Sequence, residues 1–152
     1  MIDAGTGLFT VAVFQDVPWA RKGLDALVQA GFAPPSISII AKSGVEAASL
    51  IEQTFGEPGE SIELTAVGAI VARGRLVDAL QGPSRDLPKL GLARTMRRAG
   101  FQAHDARIFE VLTGRGGILV AIRSEPRAAD ALAIFHSYGG GNAAIGAWTG
   151  RV

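Results

Sequence analysis

His104, Arg107 and Glu110 lie three residues apart in "HDARIFE". If that stretch is helical, the three side chains share a face, where a histidine base beside an orienting carboxylate is the chemistry on offer. A simpler account uses the same residues structurally. Asp105 in a first helical turn complements the macrodipole, and Arg107–Glu110 is a surface pair worth about 0.5 kcal/mol. His136 is the other histidine, near the apolar face of a second helical stretch, where a satisfied core or boundary residue is expected. With two histidines and no cysteine, a metal site would have to lean on carboxylates, and no metal is expected. HExxH, paired-acid and nucleophile-elbow patterns are absent, so no catalytic residue is assigned and no cofactor is called for.

The densest basic run is "RTMRR", which holds Arg94, Arg97 and Arg98. Lys89, Arg107 and Arg115 flank it, a set suited to a small anionic ligand or an acidic protein partner. Nucleic acid is disfavoured, because the isoelectric point is only 8.2 and no RNP-like aromatic pattern or KH loop appears. The run "HSYGGGNAAIGAW", 136–148, raises the question of a phosphate loop. Such loops precede a helix, whereas Gly139–Gly141 follow one and lead toward a strand, so a helix cap and turn is expected. Gly116, Gly117 and Asn142 complete the candidate ligand-binding residues, and any pocket is expected near the Gly114–Gly117 and Gly139–Gly141 turns.

The elements that must position these groups come next. At 152 residues, 48% hydrophobic and 19% charged, the chain suits a single core-forming domain. The apolar run "TAVGAIVA", 65–72, is far shorter than the ~18 residues a membrane span needs, and the N-terminus lacks a basic signal region. A soluble, cytoplasmic protein is expected. The net charge of +1 hides an asymmetry: residues 1–63 carry eight acids and three bases, and 64–152 carry six acids and twelve bases. Such a dipole can orient self-association.

Two stretches match at an offset of 108: 11–40 and 119–148. Pro18 falls on Pro126, Leu24 on Leu132, Leu27 on Phe135 and Gly31 on Gly139. Asp16 and Ser124 each stand two positions before a proline, the arrangement of an N-cap followed by proline in the first turn. Each unit therefore reads as strand, helix, strand, over 9–42 and 117–150. Ala20, Leu24, Leu27 and Val28 define the apolar face of the first helix, and Ala128, Leu132, Phe135 and His136 that of the second. The second strands are "SISII" (36–40) and "AAIGAW" (143–148). Between the units, 44–55 reads as a helix, 62–74 as one strand with a bulge or close contact at Gly68, and 88–99 and 103–113 as two helices parted at Gly100. The fold class expected is an α+β ferredoxin-like sandwich built from two pseudo-repeated βαβ units, with helices on one face of the sheet. A small three-layer α/β fold is the alternative.

Gly100, Phe101, Ala106, Phe109, Glu110, Gly116, Gly117, Leu119, Val120, Ala128, Ala131, Ile134 and Gly139 form a pattern similar to that of the bacterial heat-induced general stress protein family, the YflT-like domains. The opening "VAVFQDVPWARKGLDALVQAGFAPPSISIIAK" resembles that family's first βαβ unit. Phe109 stands where the family usually carries tyrosine. The resemblance implies a stress-associated bacterial protein without established catalysis, and it transfers no catalytic residue. Trp19, at a helix start, and Trp148, on the final strand, are the candidate interface residues of a homo-oligomer. The expected function is a non-enzymatic, self-associating module. The alternative is a small-molecule-binding regulatory domain.

Overall fold

The computed structural model describes residues 9–123, 127–138 and 149–151, the last three for their backbone alone. In chain order the elements are β1 (Phe9–Phe14), α1 (Val17–Gln29), β2 (Ile37–Lys42), α2 (Val45–Phe55), β3 (Glu60–Leu64), β4 (Gly68–Arg73), α3 (Arg75–Gln81), α4 (Leu87–Leu90), α5 (Leu92–Ala99), α6 (Ala103–Gly114), β5 (Ile118–Arg123), α7 (Ala128–Ser137) and β6 (Thr149–Arg151).

The strands form one sheet in the order β3-β4-β2-β5-β1-β6, antiparallel at every junction. β5 lies between β1 and β2, with Ala12 opposite Val120 and Ile39 opposite Val120 from the other side. β1 and β2 are therefore parallel to one another and separated by one strand. The four strands β2-β5-β1-β6 have the ferredoxin-like order, and the molecule is an α+β sandwich. The β3–β4 hairpin extends the sheet beyond β2.

Helices cover both faces of the sheet, where the sequence suggested one. The strands themselves require this. "FTVAVF" of β1 is buried at every position, so alternate side chains must find apolar cover on opposite sides. Ala12, Phe14, Ile37, Ile39, Val120 and Ile122 pack with Leu24 and Leu27 of α1, Leu50 and Ile51 of α2 and Phe135 of α7. Phe9, Val11, Val13, Ile40, Leu119 and Ala121 pack with Leu76, Leu80, Leu92, Met96, Phe109 and Leu112 of α3, α5 and α6. The first layer is thus α1, α2 and α7, and the second is α3 to α6.

Local signals placed α1 well. Asp16 is its N-cap, with the Trp19 N–H donating to Asp16 Oδ1 at 3.0 Å, and Pro18 sits in the first turn. Past its end the Gly31 N–H donates to the Val28 carbonyl and the Phe32 N–H to the Leu27 carbonyl. This is the glycine cap expected there. On the same helix Val28 is 47% exposed rather than part of the apolar face. α7 begins at Ala128 with Arg127 in the N-cap position; Ser124 and Pro126 lie outside the described residues.

Two expectations between the units are corrected. Residues 62–74 are not one strand but the β3–β4 hairpin, with Leu64 paired to Gly68. Its turn, Thr65 to Val67, carries no Gly, Pro, Asn or Asp and is closed by Gly68 at φ 94°, so the alternating apolar pattern ran up to the single glycine that ends it. The stretch 88–99 is not one helix either. It splits at Gly91, whose φ of 87° lies where only glycine is comfortable, into α4 and α5. The strand expected at 143–148 and Gly139–Gly141 lie outside the described residues.

Candidate functional site

α5 and α6 pack against each other in the second layer and carry most of the sequence candidates. Leu92, Thr95 and Met96 of α5 are buried, and so are Ala106, Phe109 and Leu112 of α6. That spacing turns Arg94, Arg97, His104 and Arg107 outward, and all four are exposed. Arg94, Arg97 and Arg107 make no ion pair among the described residues. Arg98 differs from its neighbours. It pairs with Asp86, and its Nη2 donates to the Leu80 carbonyl at 2.9 Å, tying α5 to the end of α3.

Glu110 leaves the polar trio suggested by spacing. Its Oε2 accepts from the Ala93 N–H at 3.1 Å, so it caps the N-terminus of α5 from α6. α5 needs this help, because its N-cap residue is Gly91, which has no side chain to offer. No Arg107–Glu110 pair forms among the described residues. Glu110→Ala is expected to destabilise the protein by about 1 kcal/mol. Glu110→Gln, which keeps an acceptor, is expected to recover most of the loss, and urea unfolding of the pair reads this directly. Equal midpoints for wild type and Glu110→Ala would remove the capping role.

Gly116 and Gly117 terminate α6. The Gly116 N–H donates to the Thr113 carbonyl at 3.1 Å, and the Gly117 N–H donates to the Leu112 carbonyl at 2.9 Å. A Cβ on Gly117 would stand 2.6 Å from Val13 and 2.8 Å from the Leu112 carbonyl oxygen, so this glycine is held by packing. Their geometry is that of a helix end, not of an anion cradle. His136 is exposed in the last turn of α7, away from the apolar face the sequence suggested. Trp19 is half-buried against the first-layer core, with Lys22 Nζ 4.8 Å above its ring. Asn142 and Trp148 lie outside the described residues.

The described residues contain no group of three or more His, Asp or Glu side chains placed to hold a metal ion. No described helix is long and apolar enough to cross a membrane. A cleft of about 480 Å³ does open, at the Ile37 end of β2. Gly114 to Gly117 lie at the other end of that strand, where Lys42 Nζ reaches the Gly114 carbonyl at 3.4 Å. The cleft is lined from three separate segments, around Pro34, Phe55 and Arg73 to Asp78, so no short motif announces it. Arg75 and Asp78, at its mouth, were not candidates from sequence. Their spacing of three is visible there, but only the fold sets it against an apolar wall.

Charge divides between the two helical layers. α1, α2 and α7 carry Arg21, Lys22, Asp25, Glu46, Glu52 and Asp130, a net of −2. α3 to α6 carry Arg75, Asp78, Lys89, Arg94, Arg97, Arg98, Asp105, Arg107 and Glu110, a net of +3. The charge asymmetry along the chain becomes an asymmetry across the sheet. Comparison of the chain with protein-family models, curated proteins and solved structures finds no match.

Proposed function

We propose that the protein is a non-enzymatic module of the cytoplasm that works by self-association, of the bacterial stress-associated kind its 91–139 stretch resembles. The observation that carries the reading is the division of charge between opposite layers. The outward face of α5 and α6 offers Arg94, Arg97 and Arg107, which make no ion pair among the described residues, together with Val111 of α6, 42% exposed. The outward face of α2 offers Glu46 and Glu52, and beside them Val45 is 88% exposed. Exposed cations and an exposed valine on one face, and exposed anions and an exposed valine on the other, suit two copies meeting by unlike faces.

Supporting a structural role, two of the polar candidates are spent on the fold, Glu110 as a cap and Arg98 as a tie. The resemblance of the two strand–helix–strand units to one another is part of the same proposal. Under the offset of 108, Val11 and Leu119 share one core, and Ala12 and Val120 share the other. Because the two docking faces differ, the contact is heterologous, and copies close into a ring or extend into a stack.

Light scattering at rising salt tests this. The wild type is expected to give a multiple of 15.8 kDa that falls as salt screens the faces. Arg107→Glu or Glu52→Arg alone is expected to give monomers, and the double exchange is expected to restore the assembly. A wild-type monomer at low salt overturns the proposal, as does an assembly indifferent to both single exchanges.

A further inference from the structure

The cleft at the Ile37 end of β2 has a wall and a mouth of different chemistry. Its wall is apolar: the rings of Pro34, Pro35 and Phe55, with Val77 of α3 beside them. Three of the five charged groups around it, Glu57, Glu60 and Arg73, are already engaged. Arg73 binds Glu57 at 2.9 Å and the Pro58 carbonyl at 3.1 Å, with its guanidinium 5.8 Å from the Phe55 ring centre. Glu60 pairs with Arg85.

That leaves Arg75 and Asp78. Both are exposed, both line the cleft, and neither makes an ion pair among the described residues. Three residues apart on α3, they hold one cation and one anion on neighbouring positions of a single turn. The turn itself is fixed. Ser38 Oγ of β2 accepts the Leu76 N–H at 2.9 Å, and Gly74 packs directly on Ser38.

We infer that this cleft binds a single apolar α-amino acid as its zwitterion. The carboxylate lies on Arg75, the ammonium on Asp78, and the side chain against Phe55 and the proline rings. The charge pattern selects this class. A simple anion meets Asp78, and a simple cation meets Arg75, so each gains one contact and suffers one repulsion. The apolar wall then favours a large hydrocarbon side chain over none.

Isothermal titration with L-phenylalanine as the probe tests the inference. Binding to the wild type is expected, with glycine giving no heat. N-acetyl-L-phenylalanine removes the ammonium and L-phenylalaninamide removes the carboxylate. Each is expected to bind about tenfold more weakly or worse, as are Arg75→Gln and Asp78→Asn with L-phenylalanine. No heat with L-phenylalanine up to about 10 mM overturns the inference. So does binding of either capped compound as tightly as the free amino acid, a comparison that needs no variant to fold. The site is independent of self-association: the exchanges at Arg107 and Glu52 leave Arg75 and Asp78 in place, so the two failures are read separately.

Discussion

Gly74→Ala is expected to lower the stability of the protein by about 3 kcal/mol or more, seen as a large fall in the urea midpoint. Two effects combine at this position. The backbone has φ of 127°, a conformation that residues with a Cβ rarely adopt. An added Cβ would also stand 2.4 Å from Ser38 Oγ, 2.5 Å from Ser38 Cα and 2.6 Å from the Ile37 carbonyl oxygen. Two of those three atoms are backbone of β2, a strand inside the sheet, and cannot step aside. To relieve the clash α3 must lift from β2. The Ser38–Leu76 hydrogen bond is then broken, and Leu76 and Leu80, both fully buried, are drawn from the core. A midpoint within experimental error of wild type would show that the close approach of Gly74 to β2 is not as described.

Phe109→Ala is expected to cost about 3–5 kcal/mol by the same measurement. Phe109 is fully buried between α6 and the sheet, and its ring meets Phe101 edge-on, with centroids 5.9 Å apart and planes at 88°. Truncation removes the transfer energy of the ring, leaves a cavity, and strips Phe101 of its aromatic partner. His104 lies five residues back on the same helix and is exposed. His104→Ala is the internal control, expected to stay within about 0.5 kcal/mol of wild type. Comparable losses for both variants would mean that α6 does not present the face assigned to it.

Much of the first strand–helix–strand unit was legible in the chain. Asp16, Pro18 and Gly31 punctuate α1, and each acts through neighbours within five residues, which is why the sequence exposes them. The β3–β4 turn and the break at Gly91 were harder. The turn residues Thr65 to Val67 carry no turn signal, Gly68 (φ 94°) closing the turn from the strand side, and Gly91 sits in a stretch whose apolar spacing continues on both sides. Of the candidate site, the outward arginines of α5 and α6 were legible from composition and spacing. Which of them are bound and which are free was not, because Asp86, Leu80 and Ala93 are brought to Arg98 and Glu110 by packing.

By itself the sequence determined the α+β class, the placing of α1, and an acidic first part with a basic second part. These follow from short-range patterns and from counting. Only the tertiary structure decided that helices cover both sides of the sheet and that the charge difference runs across it. It alone decided that Ser38 and Glu110 cap helices whose own N-cap residues are glycines. The physical reason is the same in each case. A backbone donor left bare by its own segment must be satisfied from elsewhere, and strands apolar on both faces must be covered twice. Neither demand names its partner in the chain, and the folded core supplies it.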